Sequence, residues 1–150
     1  MALEAAPLLV GNDPGLSRNL LDRRPIAYPI RFQRHSTQVK PFSGSGFAVV
    51  FEDNDQSGFL YVTDERSEKV LDALHLYDVN DDARPRSGDQ LFIIWNPELE
   101  KAGLFYKNLF LAVVDFKNQT ACCRSGYPPR TGEWCKSSHE WNDQMTAGLE

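Results

Sequence analysis

The sequence predicts a mainly β (α+β) fold: a curved antiparallel meander or partly open barrel of about six to seven strands with a C-terminal helix. Three observations carry this. Apolar residues alternate with a period of two through successive segments, the repeat of a half-buried strand. The connections are short and rich in Asn, Asp, Gly and Pro, so neighbours must pair antiparallel, because a parallel return needs a crossover of a dozen residues or more. Helical spacing is found only near the two ends. A chain of 150 residues, 41% hydrophobic and 25% charged, can bury a core without a metal or disulfide staple. It is too apolar for disorder, and no run approaches the ~20 apolar residues of a membrane span.

Taken in order, residues 1–45 read as an N-terminal extension, partly flexible, carrying one edge strand. Gly11-Asn-Asp-Pro-Gly15 interrupts regular structure. Leu16–Arg24 has the spacing of a short helix, stopped by Pro25. Ile26, Tyr28, Ile30 and Phe32 then alternate with polar or small residues, and Pro29, lacking a donor, assigns that strand to an edge. From Gly46 to Glu150 the chain reads as an acidic antiparallel sheet domain. Phe47–Phe51 and Phe59–Thr63 form a hairpin around a polar loop. Val70–Val79 reads as a strand with Leu74, Leu76 and Asp72 on one face and Ala73, His75, Tyr77 and Val79 on the other. Asn80–Asp89 is a loop, Leu91–Trp95 a strand, and Pro97–Lys101 a helical turn. Leu104–Tyr106 and Leu109–Phe116 make a second hairpin with Lys107-Asn108 at its bend. Thr120–Arg124 is a short strand and Gly126–Gly132 a proline-stiffened loop. The closing helix takes Ser137 or Ser138 as its cap, places Trp141 and Met145 on one face, and stops at Gly148. Leu149-Glu150 is given no role.

Charge is uneven. Residues 1–45 carry six basic and three acidic residues, a net of +3; Gly46–Asp115 carries six basic and fourteen acidic, a net of −8; the last 35 residues balance. A nucleic-acid binder concentrates Lys and Arg on its folded body, and here the body is the most negative part, so no nucleic-acid partner is expected. A protein partner with a basic surface matches better. The opening Met1–Val10 has an acidic residue and a short apolar run rather than a basic head and long apolar core, so a cytoplasmic location and no membrane partner are expected.

Asp53-Asn-Asp55-Gln-Ser57-Gly58, with Asp64 eleven residues after Asp53, has the ligand spacing of a calcium loop. That loop ends in a bidentate glutamate between two helices, whereas this one ends in aspartate between strands. Turns need the same residues, and the turn reading is preferred. Cys122, Cys123, Cys135 and His139 invite a zinc reading, but adjacent cysteines on a strand point to opposite faces and the usual two-residue spacer is missing. No metal and no cofactor is expected. A catalytic reading would need Cys123 or Cys135 beside His75 or His139, or Asp64 paired with Asp78. No nucleophile elbow, phosphate loop or dinucleotide fingerprint is present, so an enzyme is the less favoured reading. Partner-binding candidates are Tyr127, Trp134 and His139, in or beside the stiffened loop, with the carboxylates of Asp78, Asp81 and Asp82. Candidates for a ligand site on the concave sheet face are His75, Tyr77 and Trp95.

Gly46-Phe-Ala-Val-Val-Phe-Glu-Asp53, Gly58-Phe-Leu-Tyr-Val62, Val70-Leu-Asp-Ala-Leu-His-Leu-Tyr-Asp-Val79, the strand ending in Trp95, Ala112-Val-Val-Asp-Phe116, and Trp134 with His139-Glu-Trp141 together resemble a bacterial family, domain of unknown function 2251. The resemblance covers roughly Gly46–Asp143. It implies a bacterial origin and carries over no catalytic residue. The expected function is a non-enzymatic protein-binding domain of the immunity type, whose acidic sheet covers a basic toxin. The alternative is a small-ligand-binding protein or enzyme using the concave face of the sheet.

Overall fold

The computed structural model describes residues 9–10, 24–33, 37–40, 46–130 and 132–150, and of 9–10 and 37–40 only the backbone. Among the described residues ten strands follow in chain order: β1 (Leu9–Val10), β2 (Ile26–Arg31), β3 (Thr37–Lys40), β4 (Phe47–Asp53), β5 (Ser57–Asp64), β6 (Lys69–Asp78), β7 (Gln90–Trp95), β8 (Lys101–Tyr106), β9 (Leu109–Asp115) and β10 (Thr120–Cys123). The predicted helix over Leu16–Arg24 lies, apart from Arg24, outside the described residues.

The fold is mainly β, but it is neither one meander nor a barrel. The strands divide into a six-stranded sheet, β1-β2-β7-β8-β9-β10, and a four-stranded sheet, β3-β4-β5-β6. All pairings are antiparallel except the two-residue contact of β1 with β2. Neighbours in sequence pair within β3–β6 and within β7–β10, as short connections require. Among the described strands the chain changes sheets twice, between β2 and β3 and at the long loop after β6, and the two sheets do not join into a barrel. Residues of both sheets share one buried cluster, and Phe32 with Phe51 and Phe47 with Phe116 meet across the gap at ring-centre distances of 6.4 and 5.5 Å. This is a two-layer packing with a filled interior.

β2 belongs to the core rather than to a separate extension: Ile26, Ala27, Tyr28 and Ile30 are buried, and all six of its residues pair with β7. β1 covers only Ile26 and Ala27, so at Pro29 the outer side of β2 has no strand neighbour among the described residues, which suits a residue without an N–H. The Lys107-Asn108 bend is as predicted. Both residues have positive φ, 49° and 61°, the backbone of a tight hairpin turn matched to strand twist.

The C-terminal helix is absent. Only a 3-10 turn forms, over Asp143–Thr146, and its cap is Asn142, whose side chain accepts from the Gln144 N–H; neither Ser137 nor Ser138 caps it. The residues before it are used in extended pairing instead. The His139 carbonyl accepts from the Cys123 N–H and the Ser137 hydroxyl donates to the Ala121 carbonyl, both in β10. A helix of about two turns has little stability of its own against such bonds. Trp141 and Met145 do share a surface: they pack with buried Ile94, Phe105, Phe110, Val113 and Cys122 on the outer face of the six-stranded sheet. Leu149, given no role from sequence, is fully buried in that cluster and sits over Gly103, where an added Cβ would come within 3.0 Å of it.

Candidate functional site

The four-stranded sheet has one buried and one open face. Along β5, Gly58, Leu60 and Val62 are buried while Phe59 and Tyr61 are partly exposed. The period of two sets this pattern, and the inner face is the one whose aliphatic side chains fit between the sheets. On the outer face Phe59 stacks on Tyr61 with ring centres 5.8 Å apart. Phe59 also meets the His75 ring edge-on at 5.5 Å, and His75 meets Tyr127 edge-on at 5.9 Å. Four rings form a continuous ladder from β5 across β6 to the loop after β10, ending in Tyr127, which is 56% exposed. Carboxylates border it. The Tyr61 hydroxyl donates to Glu52 on β4, and His75 Nε2 is 2.9 Å from Asp78 Oδ1.

The ladder depends on how the loop after β10 is held. The His75 N–H donates to the Tyr127 carbonyl at 2.8 Å, so the free edge of β6 is covered. Ser125 Oγ accepts from the Tyr127 N–H and donates to the His75 carbonyl, and His75 Nδ1 lies 3.0 Å from the same Oγ. Ser125, His75 and Asp78 thus resemble the residue types of a nucleophilic triad. The hydroxyl proton, however, goes to the His75 carbonyl rather than to the ring, the reverse of the hydrogen bond by which a base activates a nucleophile.

Beneath the loop is a second imidazole–carboxylate pair. His139 is 1% exposed; its Nε2 is 2.8 Å from Asp72 Oδ2, and its Nδ1 donates to the Pro128 carbonyl. Both ring nitrogens face acceptors, an arrangement that favours the protonated ring. The Asp72 hydrogen bond raises its pKa, outweighing the opposing effect of burial. Cys135 Sγ lies with these two groups, all donor atoms within 4.8 Å of one another.

A third polar cluster fixes the far end of the sheet. Asp53 is 1% exposed and accepts from the Tyr77 hydroxyl, from Arg84 through Nε and Nη2, and from the Asp55 N–H. Burial alone would raise its carboxyl, but these donors hold it below the usual range. Burial and the neighbouring carboxylate push the Tyr77 hydroxyl far upward. Gly58 is required here, since a Cβ would fall 2.2 Å from the Tyr77 ring.

The sequence-derived candidates scatter over these regions. Asp53 and Gly58 flank a tight hairpin, and Asp64 pairs opposite Phe47, six rungs away, so positions one and twelve of the supposed calcium loop never meet. Cys122 and Cys123 do face opposite clusters. All three cysteines are unpaired and buried, and burial pushes the Cys122 thiol upward. Of Tyr127, Trp134 and His139, only Tyr127 presents its ring; Trp134 packs on Phe47 and Phe116, and His139 is internal. Asp78, Asp81 and Asp82 are exposed, with the Asp78 N–H bonded to Asp81 Oδ2.

His75, Tyr77 and Trp95 do not line one surface. A register shift between Gly58 and Phe59 turns Tyr77 into the core, away from His75, and Trp95 is stacked on Phe116 in the filled interior. Glu52, Phe59, Tyr61, Asp72 and Arg84 were missed from sequence. The outward pair Phe59/Tyr61 is visible in the alternation, but a period of two distinguishes two faces without saying which is buried. Asp72, a carboxylate inside an apolar strand, was the signal for the inner pair.

No helix among the described residues is long and apolar enough to cross a membrane. A similar protein in Haemophilus influenzae, described as an uncharacterized protein, is 29% identical over 115 residues, which are 75% of this chain and 68% of that one. No solved structure matches. The match to the family model covers residues 33–150, so it begins earlier than the sequence resemblance at Gly46 and takes in the polypeptide leading to β3. The chain belongs to the family described as uncharacterized protein conserved in bacteria, domain of unknown function 2251.

Proposed function

We propose that this chain is a non-enzymatic protein-binding domain whose recognition surface is the open face of the four-stranded sheet. The aromatic ladder Tyr61-Phe59-His75-Tyr127, bordered by Glu52 and Asp78, carries the reading. Flat rings held on a strand scaffold lose little entropy on binding, and carboxylates at their rim favour Lys and Arg opposite them. Arg side chains of a partner would stack on these rings while pairing with the acids. In the immunity form of this function the partner is a basic bacterial toxin covered by the acidic face.

The alternative of a ligand pocket on the concave face loses its lining, because the interior is filled and His75 stands on the opposite side of the sheet from Tyr77. Capture from an extract of the native host, with the wild type and with Phe59→Ser/Tyr61→Ser, tests the proposal. A basic protein retained by the wild type and lost with the variant is expected. Equal retention of every protein by both would overturn it. Identification of the captured protein as a toxin separates the immunity form from other binding roles.

A further inference from the structure

We propose that Asp72, Cys135 and His139 form a mononuclear site for a divalent ion of the zinc type, joining β6 to the polypeptide that follows β10. This departs from the sequence expectation of no metal, and of the cysteine set weighed there it retains only Cys135 with His139. One donor atom from each residue lies within 4.8 Å of the other two. All three are withdrawn from solvent, with side-chain exposures of 1% for His139 and 8% for Asp72 and a buried Cys135. Carboxylate oxygen, thiolate sulfur and imidazole nitrogen are the zinc donor set. A carboxylate and a thiolate bring two negative charges, which a divalent ion balances, so the filled interior holds no net charge.

His139 is presented as metal-binding imidazoles are. Its Nδ1–H is given to the Pro128 carbonyl, outside the cluster, which fixes the ring and aims Nε2 at Asp72 Oδ2. In a tetrahedral shell with bonds of ~2.0–2.2 Å, nitrogen and oxygen ligands stand about 3.3 Å apart. Nε2 and Oδ2 are 2.8 Å apart, so they part by roughly half an ångström, and Cys135 Sγ, within 4.8 Å of both, closes in on an ion that takes the place of the proton now bridging the two groups. Cys135 Sγ donates to the Ser137 carbonyl at 3.4 Å and would exchange that weak bond for the ion. The other thiols stand apart: Cys122 faces the opposite cluster, and Cys123 Sγ is engaged with the Tyr127 carbonyl. Three protein ligands leave a fourth position for water. The inference is independent of the recognition reading, since it uses none of the ladder residues.

The test is cobalt titration of the chelator-treated full chain under reducing conditions. Expected are one equivalent bound, the visible absorption of tetrahedral Co²⁺, a near-ultraviolet sulfur-to-cobalt charge-transfer band, and displacement by Zn²⁺. Cys135→Ser should abolish the charge-transfer band, Cys123→Ser should leave it, and Asp72→Asn, which removes a charged ligand, should weaken binding by at least the roughly 10–100-fold that loss of a mere supporting group causes. A wild type that binds no stoichiometric cobalt or zinc overturns the proposal whatever the variants do. A band that survives Cys135→Ser, or vanishes with Cys123→Ser in a variant that still shows native circular dichroism, also overturns it.

Discussion

The two sheets are made from similar residues and are covered differently. The six-stranded sheet is covered twice, by the four-stranded sheet on one face and by Trp141, Met145 and Leu149 on the other, and in β9 every residue after Leu109 is buried. Among the described residues the four-stranded sheet is covered on one face only. Its β5 alternates between buried aliphatic and partly open aromatic side chains. A change in the first sheet therefore acts on stability, and on the proposed reading a change on the open face of the second acts on recognition with the fold intact.

The largest effect that breaks this contrast is expected at Trp95, which is fully buried and stacked on Phe116. Trp95→Ala should cost about 3–5 kcal/mol, seen as a lower denaturant midpoint at unchanged slope. Arg84→Met comes next, at about 3 kcal/mol, because it leaves the Asp53 carboxylate buried without its cation. Asp53 also fixes a pH dependence. Its folded pKa lies below the unfolded value, so its contribution is whole above about pH 4 and is lost as the pH falls through the folded value. Asp53→Asn should flatten that acid limb of the stability curve. Leu149→Ala should cost about 2–3 kcal/mol by opening a cavity over Gly103, a measurement that checks whether Leu149 is part of the core. Phe59→Ser/Tyr61→Ser should have the smallest stability effect, about 1 kcal/mol or less, as partly exposed sheet positions do.

The same contrast explains what the sequence could reveal. Strands in the four-stranded sheet were legible because one wet face imposes alternation, and the Asp53–Gly58 turn and Lys107-Asn108 bend were legible because turn chemistry is local. The division into two sheets was not, since β8 and β9 are buried on both faces and a strand apolar throughout no longer announces which side it faces. The C-terminal helix failed for a related reason: Trp141 and Met145 meet the core by tertiary contacts that fit helical spacing without needing a helix. The His139–Asp72 pair spans 67 positions and belongs to no local pattern. The ladder was half legible, because Tyr127 was picked out from its stiff loop and His75 as a ligand-site candidate, while Phe59 and Tyr61 read only as sheet.

The open aromatic face as recognition surface is tested most directly by the affinity of the captured basic partner for the wild type and for Phe59→Ser/Tyr61→Ser, measured at low and physiological salt. Two lost aromatic anchors of about 2 kcal/mol each predict a loss of roughly three orders of magnitude, with wild-type binding weakened by salt. An affinity unchanged by the double substitution in a variant of native stability would contradict it.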